Sequence, residues 1–304
     1  MANISLLLES ATRYSVSGSP ILYIGGYRIL NIVYTGQTSQ TWQAYDDHNR
    51  RPVAVKALFQ SAVKDSEQVR FFKWEYNVGK DLEHPRIIRF YSFGKHGRAP
   101  FIAMEWFSAP NMKQQMLKGY ENYCVWLNDF IPQMAEALVY FHEAGWVHCD
   151  VKPDNFLCSP EKGVKLIDFA LARKIKGNFL AKLLHLKNKT QGTASYMSPE
   201  QIRGEQLDGR ADIYSLGCSF FEMVSNRLLY TGGTMNELLQ KHISGAIPSI
   251  TARNRNVTPE FSELLNRMLA KKRKDRIQTM SDVYSTLRGI KIFKKLPQVG
   301  DKVY

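Results

Sequence analysis

His148-Cys149-Asp150-Val151-Lys152-Pro153-Asp154-Asn155, followed after a short apolar run by Asp168-Phe169-Ala170, is the stretch on which the reading of this chain turns. An aspartate, a lysine two residues on and an asparagine five residues on share one short polar segment. Val164 to Ile167 has the length and content of a strand, and it delivers a second aspartate, Asp168. Either cluster alone reads as an exposed loop with Asp and Asn in turn positions. Both together, in this order, ask for a chemical explanation.

The chain of 304 residues exceeds what one hydrophobic core usually supports, so one large two-part unit or two packed domains is expected. A net charge of +13 reflects solvated Lys and Arg, or attraction to acidic partners or membranes. Cys124, Cys149, Cys158 and Cys218 form no C-x-x-C pair, which speaks against a zinc cage or a disulfide framework and for reduced, cytoplasmic thiols. No apolar run is long enough for a membrane span, and Leu6-Leu7-Leu8 is too short for a signal peptide. The basic run Lys271-Lys272-Arg273-Lys274 has no interleaved aromatic residues and reads as a solvated helix end, so no nucleic-acid partner is expected.

Residues 1–26 show weak periodicity ending in the turn signal Gly25-Gly26 and are expected to be an N-terminal extension. Three extended patterns follow, Ile29 to Tyr34, Thr41 to Tyr45 and Pro52 to Leu58, predicting a small antiparallel sheet. Helical spacing then runs from Ser66 to Leu82, and Phe101 to Trp106 reads as a buried strand. Leu127, Phe130, Ile131, Met134, Leu138 and Val139 predict an amphipathic helix closed by Gly145, with Pro132 kinking its start. Further helical patterns span Met235 to Ser244, Pro259 to Lys271 and Met280 to Ile290, and residues 291–304 form a basic tail.

In order and spacing these motifs resemble the eukaryotic-type Ser/Thr protein kinase family over roughly residues 27–290, and Met197-Ser198-Pro199-Glu200-Gln201 looks most like its bacterial members. The resemblance implies an α+β bilobal fold: a small N-lobe (27–106) of antiparallel sheet plus one helix, and a larger, mainly helical C-lobe (107–290). It implies transfer of the ATP γ-phosphate to a protein Ser or Thr, with Mg²⁺. Asp150 would take or orient the acceptor hydroxyl proton, Lys152 would sit near the transferred group, and Asn155 with Asp168 would hold the metal. Val53-Ala54-Val55-Lys56 resembles the strand whose Lys neutralises phosphates, with Glu75 as the ion-pair partner of Lys56. Gly36 alone survives from the glycine-rich loop. Met104 matches the gatekeeper, the backbones of Glu105 and Phe107 would face adenine with Ala54 and Leu157 as further nucleotide contacts, and Asn111 stands where a ribose contact is common. Gly192 to Glu200 resembles the segment that forms the platform beside the phosphorylated residue, with Thr193 bonding to Asp150 and Lys152.

Several positions depart from the family pattern. Tyr34 and Ser39 replace loop glycines, Cys149 replaces Arg, and Ala170 replaces Gly. Gly79 stands where a bulky apolar contact is usual, and Phe90 is expected to fill the gap. Asp212 is expected to brace the catalytic-loop backbone and Glu200 to pair with Arg276. The long basic stretch from Arg173 to Lys189 points to acidic substrates, and Cys149 argues against strict dependence on phosphorylation of this loop, although its lysines could still receive phospho-Thr190. A pseudokinase that binds nucleotide as a scaffold is the competing reading, and a small-molecule phosphotransferase is a third.

Overall fold

The computed structural model describes residues 12–14, 20–175 and 194–303. They fall into two compact units, a sheet unit up to Ser108 that also takes in Asp168–Ala170, and a helical unit formed by the remainder. This is the expected α+β class. The division comes two residues after the anticipated boundary at 106.

The sheet unit is a seven-stranded antiparallel sheet in the order β1-β2-β3-β4-β5-β7-β6, made of β1 (Thr12–Tyr14), β2 (Pro20–Ile24), β3 (Tyr27–Thr35), β4 (Ser39–Asp46), β5 (Arg51–Leu58), β6 (Phe90–His96) and β7 (Ala99–Glu105). Strict alternation in β4 buries Gln40, Trp42, Ala44 and Asp46, and with Val53, Val55 and Phe101 the apolar members of this set form a core on one face. Thr12–Tyr14 and Pro20–Ile24, within the 1–26 segment anticipated as an extension, add two strands here. Ile24 is 1 % exposed, and Gly25, in the left-handed region at φ +57°, lies so close to the Phe101 ring that a Cβ would come within 2.0 Å of it. Helix α1 (Gln60–Val63) is a single turn, and α2 (Ser66–Gly79) is started by Asp65, whose carboxylate accepts from the Glu67 and Gln68 amides. α2 ends three residues before the predicted Leu82, at a glycine, where helix propensity is poor.

The helical unit contains α3 (Met112–Met116), α4 (Tyr120–Tyr123), α5 (Leu127–Glu143), α6 (Pro199–Arg203), α7 (Gly209–Ser225), α8 (Met235–Ser244), α9 (Ile250–Arg253), α10 (Pro259–Met268) and α11 (Met280–Gly289). Helix α7 is buried along its whole length from Ala211 to Ser225, so it acts as the internal post of the unit. α5 continues through Pro132, which forfeits one early helical hydrogen bond. Past α11 the chain returns to the unit: the Thr258 amide donates to the Ile292 carbonyl, and Lys294 donates to Asn256. Among the described residues no helix is long and apolar enough to cross a membrane.

A buried polar cluster ties α7 to α8. His242 Nδ1 lies 3.0 Å from the Tyr214 hydroxyl, and Lys271 Nζ donates to the hydroxyls of Tyr214 and Tyr230 at 3.0 and 2.8 Å. Burial, reinforced by the Lys271 charge, pushes His242 down to about 3, while burial brings Lys271 down to about 8. An unfolded chain protonates His242 near pH ~6.5, so between ~6.5 and ~3 the unfolded state binds more protons. The stability present above pH ~6.5 is therefore lost as the pH falls towards ~3, about 4 kcal/mol from this group. Urea unfolding at stepped pH is expected to show a shallower acid limb in His242→Gln than in the wild type.

Candidate active site

In the sheet unit, Lys56 lies opposite Ile102 on β7, and strand alternation puts it on the face away from the Trp42 core. α2 turns Phe72, Glu75 and Gly79 inward, so Glu75 meets Lys56: Nζ donates to Glu75 Oε1 and Oε2 at 2.9 and 2.8 Å. Burial opposes the Lys56 charge, but the Glu75 and Asp168 carboxylates outweigh it and raise Lys56 to about 12. Burial, with help from Asp168, raises Glu75 against the pull of Lys56. The three predicted charges are thus within electrostatic reach of one another. Asp168 has positive φ, +64°, and its Oδ1 accepts from the Ala170 amide at 3.4 Å.

Beside them a ring stack supports Phe169. Its centroid is 5.5 Å from that of Phe90, which in turn lies 6.4 Å from Tyr76. Phe90 also covers Gly79, where an added Cβ would come within 2.6 Å of the ring. The larger strand residue fills the space left by the glycine, as anticipated.

The segment around Gly36 is a closed hairpin, with Thr35 paired to Gln40 and the Gly36 amide donating to the Ser39 carbonyl at 2.9 Å. Tyr34 is 61 % exposed, and Thr35 Oγ1 already accepts from Gln40 Nε2, so one of the hydroxyls available in this loop is engaged. Ala54 and Met104 are cross-strand neighbours. The Glu105 amide donates to the Arg89 carbonyl at 2.8 Å, and Phe107 is buried.

In the helical unit Asp150, Lys152 and Asn155 converge. Lys152 Nζ donates to Asp150 Oδ2 at 2.7 Å, and Asn155 Nδ2 donates to the Asp150 carbonyl at 2.7 Å and to Oδ2 at 3.3 Å. The backbone beneath is fixed from several directions. Asp212 accepts from the His148 and Cys149 amides at 2.7 and 2.9 Å, as anticipated, and Gln201 Nε2 donates to the Cys149 carbonyl at 2.8 Å. This bracing holds Cys149 at φ +64°, a conformation that non-glycine residues rarely adopt. Arg173 reaches the Cys149 thiol, and burial lowers its guanidinium below the ordinary value. Glu200 and Arg276 form the expected buried pair, at 2.6 and 3.2 Å.

Asn111 and Leu157 face each other across an isolated bridge. Asn111 also caps α3: its Oδ1 accepts from the Gln114 amide at 2.8 Å while Gln114 Oε1 accepts from the Asn111 amide. Among the described residues its Nδ2 donates to no other group, which leaves that donor for a ligand. Thr193 and Thr190 lie outside the described residues, as does the basic stretch from Arg173 to Lys189 beyond residue 175.

The profile of the protein kinase domain matches residues 27–286. The chain belongs to the protein kinase domain family. This kinase-domain chain is similar to a probable serine/threonine-protein kinase of Clostridium acetobutylicum, 29 % identical over 265 residues, or 87 % of this chain and 40 % of that protein. It is similar to the serine/threonine-protein kinase PknB of Mycolicibacterium smegmatis, 30 % identical over 267 residues, covering 86 % of this chain and 42 % of PknB. PknL of Mycobacterium tuberculosis is 27 % identical over 292 residues, 96 % of this chain and 72 % of PknL. The chain thus spans less than half the length of the first two relatives.

Sequence reasoning missed Gln201 on the Cys149 carbonyl and His142, whose Nε2 lies 2.9 Å from Asp212 Oδ2. It also missed the capping role of Asn111, although Asn111-x-x-Gln114 is a readable capping pattern.

Proposed function

We propose that this chain transfers the γ-phosphate of ATP to Ser or Thr of a protein on the cytoplasmic side of the cell. The observation that carries the reading is the state of Asp150. Among the described residues, the side-chain donors Lys152 and Asn155 both go to Oδ2, which leaves Oδ1 to accept the hydroxyl proton of an incoming Ser or Thr. As that oxygen bonds to the γ-phosphorus, the bond from phosphorus to the bridging oxygen breaks and ADP leaves, with the proton on Asp150. Lys152 offsets charge on the moving phosphoryl group, and Lys56, held cationic by Glu75, offsets that on the α- and β-phosphates.

Adenine is proposed to contact the Glu105 carbonyl and the Phe107 backbone, with Ala54, Met104 and Leu157 against its faces, Asn111 Nδ2 towards the ribose and the Gly36 hairpin over the phosphates. Asn155 Oδ1 and the Asp168 carboxylate are hard oxygen donors suited to Mg²⁺, and so small a set fits an ion held largely by the phosphates themselves. When bound, Mg²⁺ would neutralise phosphate charge. Thr193 is proposed to bond Asp150 and Lys152 and so to favour Ser or Thr acceptors. The basic sequence from Arg173 to Lys189 supports acidic protein substrates.

The eroded hairpin with its exposed Tyr34 favours a second reading, a nucleotide-binding scaffold without turnover. Radiolabelled γ-phosphate transfer from Mg-ATP separates the two. Wild type is expected to label itself or a generic protein mixture, and Asp150→Asn to lose at least 10³-fold. Saturable ATP binding with no label in either protein would establish the scaffold.

A further inference from the structure

Lys113, Glu222 and Tyr196 meet from three parts of the helical unit: α3, the buried post α7, and the segment leading into α6. The Tyr196 hydroxyl donates to Glu222 Oε2 at 2.5 Å, and Lys113 Nζ donates to Oε1 at 2.5 Å while lying 3.4 Å from the Tyr196 oxygen. Both oxygens of a buried carboxylate are therefore engaged. Burial and the Glu222 charge push the Tyr196 hydroxyl far above its ordinary value, so it remains a donor. Lys113, with a side chain 31 % exposed against 6 % for Glu222, is the ion-pair partner that reaches water. A buried carboxylate stripped of its cation is strongly destabilised, and a substrate cation that reached it would relieve that cost.

We infer that Lys113 is a specificity-determining residue: it satisfies Glu222 from within the chain, holds Tyr196 in place, and closes that carboxylate to a Lys or Arg of a protein substrate. The inference rests on the kinase reading above, in which the segment carrying Tyr196 is the surface on which the acceptor peptide lies. A peptide crossing Tyr196 meets the Lys113 ammonium and finds no free carboxylate. Uncharged or acidic flanking residues are accepted there, and basic ones are repelled.

The test uses the full chain and three acceptor peptides identical except for Lys, Ala or Glu at the positions flanking the acceptor. Wild type is expected to favour the Ala and Glu peptides. Lys113→Met frees Glu222, and the preference is expected to move roughly tenfold towards the Lys peptide through KM. The KM for ATP stays unchanged, and Lys113→Arg keeps the wild-type order. Hydrogen exchange of the amides from Ala194 to Ser198 is expected to quicken in Lys113→Met and not in Lys113→Arg. The same peptide ranking in wild type and Lys113→Met overturns the specificity role. No transfer to any peptide by wild type removes the kinase reading and this role with it, while the exchange data show whether the hold on Tyr196 survives independently.

Discussion

Lys56→Met is expected to abolish phosphoryl transfer and to lower stability at neutral pH by about 3–5 kcal/mol, because it strands the Glu75 carboxylate in a buried position. Glu75 is 3 % exposed and already raised by burial, and the lysine pulls against that rise. Without Lys56 its folded pKa climbs further above the unfolded value, so the folded state binds the extra proton. The variant should then lose stability as the pH rises from about 4.5 upwards, the reverse of ordinary carboxylate behaviour. Adding Glu75→Leu to Lys56→Met removes the stranded charge and is expected to recover most of the stability but none of the transfer. Urea unfolding at several pH values, alongside the γ-phosphate assay, checks both halves. Equal stability of Lys56→Met and wild type across pH would mean that the pair contributes nothing to the fold.

Gly79→Leu is expected to reduce transfer by about 10²-fold and stability by about 3 kcal/mol, since its side chain must enter the space of the Phe90 ring. The damage propagates by contact: Phe90 is displaced, Phe169 loses its stacking partner, and Asp168, its neighbour in the chain, loses a fixed position. Phe90→Ala alone opens a cavity and should cost a similar amount of stability. The double variant Gly79→Leu with Phe90→Ala refills the space from the helix side, so its losses should fall well short of the sum. Thermal unfolding and steady-state kinetics of the four proteins form the cycle, and strict additivity would contradict the proposed exchange of volume between helix and strand.

The pairings of Lys56 with Glu75 and of Glu200 with Arg276 were legible because a charged residue sat at each expected position of an ordered set of motifs. The exchange of volume between Gly79 and Phe90 was legible because one small residue and one large one stood out of pattern. The Lys113, Glu222 and Tyr196 cluster was not, since its members lie up to 109 residues apart and only packing against α7 assembles them. The strands at Thr12–Tyr14 and Pro20–Ile24 also escaped. They are three and five residues long, too short for alternation to show; Gly25, just past the second, lies against Phe101, and the first pairs with the second. In the catalytic loop the residue types pointed to the chemistry, but the positive φ of Cys149 depends on Asp212 and Gln201, which no local pattern near residue 149 announces.

The close fit of Gly25 and Ile24 against the sheet has a counterpart at the other end, where Ile292 and Phe293 are buried and residues 292–294 bond back to Asn256–Thr258. Both lie outside the 27–286 segment that matches the family. The packing of the sheet and of the segment entering α10 therefore extends beyond the residues that match the family. Trimming the chain to residues 27–286 would leave Phe101 without its cover and α10 without its seam, so the flanks of this kinase domain belong to its architecture.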